Sequence, residues 1–209
     1  MASKTLIAAF AGLAVTAGHA SAASLLQLDV NTLTAQARDA ANNNSPFGGT
    51  SHTGSVAFSA NANSSLVDIF IDGAAQNIAA GQLSSFTGVI DMVNGAVTGG
   101  SLSIVASGDT FNADIVPGVG QVNQAVGFGG FFIDGLLANA NFSGASYAGA
   151  DVTPFFNAQP LAGSFVSFQF NPNSNGRSNM TDIDIWVVPA PASMALLGLG
   201  GLVATRRRR

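Results

Sequence analysis

The chain of 209 residues contains no cysteine and no glutamate, and Lys4 is its one lysine. The absence of cysteine excludes disulfide bonds, thiolate metal ligands and thiol nucleophiles. The absence of lysine after position 4 excludes Schiff-base and lysine-base chemistry from the rest of the chain. The fold must therefore be held by its hydrophobic core or by bound ions.

Positive charge is scarce between residues 23 and 187. Arg38 and Arg177 stand there against all 11 acidic residues, which are all aspartates, so this segment carries a formal charge of 2 − 11 = −9. Such a surface repels phosphate backbones, which excludes nucleic acid as a partner. It also suits a protein that stays soluble outside a cell.

Long hydrophobic runs are missing, and the first short one lies near the N-terminus. Leu6 to Ala17 is apolar, follows Lys4, and precedes the small residues Ala20 and Ala22. This is the layout of a secretory signal peptide, predicted here as residues 1–22, which signal peptidase would remove after Ala22. A short N-terminal membrane helix is the alternative, but the run is too short to span a bilayer comfortably.

The middle of the chain has apolar residues that recur with period two, as in a half-buried strand. Leu26, Leu28 and Val30 share one face, and so do Ile183, Ile185 and Val187. Many short strands with turn residues between them, and no long helical segment, predict an all-β domain at residues 23–187. We expect a single antiparallel β-sandwich of jelly-roll type. A β-solenoid is the competing architecture, but no fixed-period repeat supports it.

Several local features sharpen this prediction. Asn94-Gly95 predicts a two-residue hairpin turn, whereas Thr32 to Ala41 fits either a short helix or the continuation of the first strand. Trp186 is expected to pack in the last strand. The phenylalanines expected in the sandwich core are Phe128, Phe131, Phe132, Phe155, Phe156, Phe165, Phe168 and Phe170.

The predicted domain shows no strong catalytic or metal-binding motif. His52 lies in a Gly/Ser/Thr loop without a nucleophile pattern, so we expect a surface histidine. The carboxylate pairs Asp182/Asp184 and Asp68/Asp72 alternate with isoleucines, as on the solvated face of an amphipathic strand. We therefore predict no catalytic residue, no cofactor and no metal site, and a protein that is not an enzyme. A secreted hydrolase using the aspartates and a calcium-stabilised module are the alternatives.

The C-terminal segment, residues 188–209, has a layout of its own. Pro189-Ala190-Pro191-Ala192-Ser193 is followed by an apolar run from Met194 to Ala204 and by the basic cluster Arg206, Arg207, Arg208 and Arg209. As a helix the run would extend about 16 Å, roughly half of a ~30 Å hydrocarbon layer. It can pause in a membrane as a short hydrophobic helix, with its arginines on the cytoplasmic side, but it is a poor permanent anchor.

This order of elements resembles the PEP-CTERM sorting signal, with Ala190 in place of the family's glutamate. The resemblance covers about a tenth of the chain. It implies a Gram-negative-type envelope and processing by an exosortase, a membrane-embedded cysteine transpeptidase. It further implies an association with exopolysaccharide and biofilm.

Together these features predict an exported protein with a membrane-inserted precursor stage, held transiently in the inner membrane by its tail. It would finish at the cell surface or in the extracellular matrix, with a structural or adhesive role. A carbohydrate-binding or calcium-stabilised module associated with exopolysaccharide is the main alternative.

Overall fold

The computed structural model describes residues 26–76, 78, 83–124, 130–152, 155 and 164–187. All of them fall within one compact unit, Ser24–Ala190. The predicted signal peptide at 1–22, with Ala20 and Ala22, and the predicted tail at 188–209 lie outside the described residues. Within those residues, no helix has both the length and the apolar character needed to cross a membrane.

The described chain is built from antiparallel strands, which confirms the all-β prediction. The strands are β1 (Leu26–Arg38), β2 (Gly54–Ser59), β3 (Ser65–Ile71), β4 (Ala74–Ala75), β5 (Leu83–Val93), β6 (Ala96–Ala106), β7 (Asp109–Gln124), β8 (Phe131–Phe142), β9 (Ser146–Tyr147), β10 (Ala150–Asp151), β11 (Phe165–Phe170) and β12 (Arg177–Val187). A 3-10 turn, Gly49–Ser51, precedes β2.

The main sheet closes on itself, so the predicted β-sandwich is corrected to an eight-stranded β-barrel. The ring runs β1-β2-β5-β6-β7-β8-β11-β12 and returns to β1, while β3 and β4 extend the sheet beside the first half of β1. The closing pair aligns Leu26 with Val187 and Gln36 with Arg177. Inward and outward residues alternate in the same way in a sandwich and in a barrel, which is why the strand pattern did not distinguish them.

Apolar side chains fill the barrel interior. Leu26, Leu28 and Val30 are fully buried, and Ile183, Ile185 and Val187 face them from β12. An eight-stranded barrel is just wide enough for side chains to meet at its axis. Tyr147 and Phe155 are also buried, and the ring of Tyr147 packs against that of Phe142 with centroids 5.3 Å apart. The interior is therefore a packed hydrophobic core.

Two local predictions can be compared with the structure, one in β1 and one in the turn between β5 and β6. Thr32 to Arg38 continues β1, so the strand alternative is confirmed over the helix. Asn94 and Gly95 both have positive φ, 50° and 76°, as a type I′ hairpin turn requires.

The phenylalanine prediction is confirmed in part. Phe155, Phe168 and Phe170 are buried, but Phe165 points outward and stacks on Trp186, with ring centroids 4.4 Å apart. Phe131 and Phe132 are half-buried, while Phe128 and Phe156 lie outside the described residues. The outward position of Phe165 follows from the β11 register, which places Val166, Phe168 and Phe170 inside.

Candidate functional site

Three of the aspartates singled out in the sequence, Asp68, Asp182 and Asp184, meet Asp29 on the outer face of the barrel, where β1 lies between β3 and β12. Asp29 of β1 is paired with Asp68 of β3 on one side and with Asp184 of β12 on the other. Asp182 follows on the same face of β12, since it also alternates with buried isoleucines. We call Asp29, Asp68, Asp182 and Asp184 the acidic patch.

Neighbouring amides bind the carboxylates of the acidic patch. Gln27 Nε2 donates to Asp184 at 3.1 Å, and the backbone N–H of Thr32 donates to Asp182 at 3.2 Å. In the amide orientation that satisfies both neighbours, Asn31 donates to Asp29 and to Asp182, each at 3.2 Å. Three of these four bonds join β1 to β12 across the pair of strands that closes the barrel, and the bond from Asn31 to Asp29 lies within β1.

Burial and neighbouring charges raise the pKa of two carboxyl groups of the acidic patch, those of Asp29 and Asp184. Burial, followed by the charges of Asp184, Asp182 and Asp68, raises the pKa of Asp29 from 3.8 to about 6. Burial also raises the pKa of Asp184, while its hydrogen bond from Gln27 acts in the opposite direction. A carboxyl group with such a pKa can hold or release a proton near neutral pH.

The predicted carboxylate pairs have different outcomes. Asp182 and Asp184 share one outward face, as predicted. Asp72 does not share a strand face with Asp68, because it lies in the turn after β3 with φ of 53°. Asp29 and Asn31 were missed, because only the strand pairing brings them beside the others.

His52 is a buried residue, so the predicted surface histidine is wrong. Only 4% of the residue is exposed, and its ring lies 4.7 Å from that of Phe47. Nδ1 accepts the backbone N–H of Gly48 at 3.1 Å, and Nε2 lies 3.4 Å from the carbonyl oxygen of Ser55. This geometry fits a neutral imidazole with its proton on Nε2, donating to Ser55. His52 thus stabilises the loop between β1 and β2.

The acidic patch does not form an evident metal centre. Across the described ranges, no group of three or more histidine, aspartate or glutamate side chains is placed to hold a metal ion. Each bond to Asp182 and Asp184 named above comes from a residue of β1, which gives the patch a role in strand pairing.

The C-terminal segment is where the chain matches a known family. Residues 187–209 match the family model of the PEP-CTERM protein-sorting motif. No curated protein and no solved structure shows a significant match to the chain.

The described residues form an all-β domain, and the segment that matches the sorting motif begins at the end of its last strand. More particularly, the chain carries a PEP-CTERM protein-sorting motif, which implies export, sorting to the cell surface and processing by an exosortase. The resemblance predicted from the Pro-Ala-Pro segment and the arginine cluster is therefore confirmed. The roles of the individual residues Pro189 to Ser193 and Arg206 to Arg209 stay predictions.

Proposed function

We propose that the mature protein is a non-catalytic component of the cell surface or extracellular matrix, with a structural or adhesive role. The single observation that carries this proposal is the sorting motif at residues 187–209, which begins at the final residue of the last barrel strand. In this proposal the chain is a substrate of the exosortase, and the barrel is the part that the sorting delivers.

In this proposal the function of the tail is to position the Pro-Ala-Pro segment for processing. The basic cluster Arg206 to Arg209 holds the C-terminus on the cytoplasmic side, and the short apolar run places Pro189-Ala190-Pro191 at the outer face of the membrane. There the transpeptidase reaches the segment after Val187. Anchoring by the tail is transient, because the run is too short to span the hydrocarbon layer comfortably.

Processing is tested by the intact mass of the mature protein from its native host, with sequencing of the C-terminal peptide. We expect a chain that begins after Ala22 and ends near the Pro-Ala-Pro segment, without the arginines. A mature chain that still ends at Arg209 would overturn sorting by cleavage. A variant with Arg206 to Arg209 changed to Gln should accumulate unprocessed, whereas Arg177→Gln, in the barrel, should be processed normally.

The contacts of the acidic patch support a structural role over a hydrolase. Asp182 and Asp184 accept hydrogen bonds from Thr32 and Gln27, so their carboxylates contribute to the pairing of β1 with β12. We expect Asp182→Asn and Asp184→Asn to change stability without abolishing any activity. A polysaccharide hydrolase activity that either variant removes while the barrel stays folded would favour the enzyme instead.

The surface role is tested by comparing producing cells with and without the chain. We expect cells that lack it to lose cohesion or matrix retention, and the wild-type chain to restore this. The chain with Arg206 to Arg209 changed to Gln should not restore it. Equal cohesion in the presence and absence of the chain would contradict a structural or adhesive role.

A further inference from the structure

The outer face of β5, β6, β7 and β8 contains an open groove on the side of the barrel opposite the acidic patch. In the ring of eight, β6 lies three strands away from β1, and β7 lies three strands away from β12. The groove has a volume of about 450 Å³, within the range of small-molecule sites. Three strand spacings of about 4.8 Å make it roughly 14 Å wide.

One row of the groove consists of uncharged hydrogen-bonding side chains in register. Thr87 is paired with Ser103, Ser103 with Asn112, and Asn112 with Asn141, so the row crosses all four strands. Among the described residues, no side-chain hydrogen bond engages Thr87, Ser103 or Asn112. Their hydroxyl and amide groups, each both donor and acceptor, are therefore available to a ligand.

The second row holds one carboxylate in a defined orientation. Asn139 Nδ2 donates to Asp114 Oδ2 at 2.7 Å, and Asn141 Nδ2 donates to the backbone oxygen of Asn139 at 2.8 Å. Asn139 has φ of 52° and lies where β8 shifts its register against β7. The bulge thus orients the second oxygen of Asp114 within the groove.

The lining defines the chemistry of a ligand. Among the described residues that line the groove, Asp114 is the one that is charged and none is basic, so an anionic ligand would meet repulsion without compensation from them. The groove lies on the face of the sheet, where backbone groups are already paired, so a peptide could not bind by strand addition. Hydroxyls, amides and a fixed carboxylate complement a ligand with many hydroxyl groups and no charge.

We propose that this groove binds a neutral glycan, which names the ligand class of the surface role proposed above and rests on it. Asn112 and Ser103 bond ligand hydroxyls across the centre of the groove, and Asp114 accepts from a hydroxyl at its edge. The groove is open to water, so each site binds weakly. Many copies at one surface would bind a repeating polysaccharide with avidity.

The test uses the mature protein and the extracellular polysaccharide of the producing cell, separated by anion exchange into neutral and anionic fractions and cut into oligosaccharides. Binding is followed by NMR, through the side-chain amide signals of Asn112 and Asn141, and by calorimetry. We expect the neutral fraction to shift these signals. Losing one hydrogen bond in Asn112→Ala should weaken binding about tenfold, with a similar effect for Ser103→Ala.

Asn179→Ala is the matched control, since Asn179 is an exposed asparagine of β12 on the far side of the ring; it should bind like the wild type. Absence of any shift with the neutral fraction, wild-type affinity in Asn112→Ala, or binding of the anionic fraction in the groove would each overturn the proposal. The mass of the mature protein reports on sorting independently, so failure of glycan binding is distinguishable from failure of the sorting proposal.

Discussion

Asp29 is the residue at which pH and stability are most directly linked. Its pKa is about 6 in the folded chain and 3.8 ordinarily, so between these values the folded state binds more protons than the unfolded state. The contribution of Asp29 to the free energy of unfolding therefore rises as the pH falls from 7 toward 4. Above pH 7 the carboxylate is fully charged, and it destabilises the folded state by its full amount. Asp29→Asn should stabilise the protein at pH 7.5 by about 1 kcal/mol, since half-exposure screens the effect.

Thermal unfolding of the wild type and Asp29→Asn between pH 4 and 8 measures this difference. The gap in free energy of unfolding should be largest at the alkaline end and should close near pH 4. Asp91→Asn, at an exposed position of β5, should show a much smaller difference. A lower stability of Asp29→Asn at pH 7.5 would contradict the assigned cost of burying this charge beside other carboxylates.

Asn61 fixes the residue at which β1 changes partner. Its Nδ2 donates to the backbone oxygen of Thr32 at 2.6 Å and to Thr34 Oγ1 at 3.1 Å. Thr32 has φ of 62°, which is strained for a β-branched residue. We expect Asn61→Ala to lower the free energy of unfolding by about 1–2 kcal/mol. Chemical denaturation should show no comparable loss for Asn63→Ala, an exposed asparagine of the same loop.

At the scale of elements, the inward and outward faces of the strands were predictable from the sequence. The register shifts that interrupt this alternation were not. Alternation placed Leu26, Leu28 and Val30 on the inner face, where the structure has them. In β3 the alternation fails, because a register shift opposite Asp29 and Val30 turns Leu66 inward and leaves Val67 47% exposed. A bulge depends on which strand lies alongside, and local sequence does not contain that information.

Gly73 and Gly95 occupy similar tight turns, but only the turn at Gly95 has another segment packed against it. Comparing substitutions at the two glycines therefore measures how much this packing contributes to stability. Both follow a positive-φ residue in a hairpin turn, with φ of 79° and 76°. A Cβ at Gly73 would meet nothing within 4 Å, whereas one at Gly95 would meet the backbone oxygen of Thr50 at 2.0 Å. We expect Gly73→Ala to cost about 1 kcal/mol and Gly95→Ala at least about 3 kcal/mol.

Equilibrium denaturation of the two variants gives the comparison directly. The excess cost of Gly95→Ala measures the docking of the loop that contains Thr50 and His52 onto the turn between β5 and β6, where the Gly95 N–H also donates to the His52 oxygen at 2.8 Å. If the two substitutions lowered the free energy of unfolding equally, the loop that contains Thr50 and His52 would be able to move away from residue 95 at no cost in stability.

At the scale of the whole molecule, the charge of the barrel segment leads to a salt effect. With 11 aspartates against Arg38 and Arg177, self-repulsion destabilises the compact state at neutral pH. Raising sodium chloride from 10 to 300 mM should screen this repulsion and raise the Tm by about 3 °C. The increase should be smaller in Asp29→Asn, and a Tm that falls with salt would contradict net repulsion.

The three candidate sites also differ in how far the sequence alone could predict them. The tail was recognisable because its chemistry is contiguous: prolines, apolar run and arginines lie in one short stretch. The sequence pointed to Asp68, Asp182 and Asp184 but not to their meeting in one acidic patch, since Asp29 joins Asp184 through pairing across more than 150 residues. The groove was not visible at all, because Thr87, Ser103, Asn112 and Asn141 form a row only after four strands have aligned.

Closure of the ring by β12 has a consequence for timing during export. Until Arg177–Val187 has joined β1, the sheet has two open edges, which attract foreign strands. Val187 pairs with Leu26 and is also the first residue of the matched sorting motif. The residue that completes the ring is thus the residue at which the motif begins. A chain long enough to present its motif has already delivered every strand that the barrel needs, and a chain interrupted before β12 has neither a closed ring nor a motif.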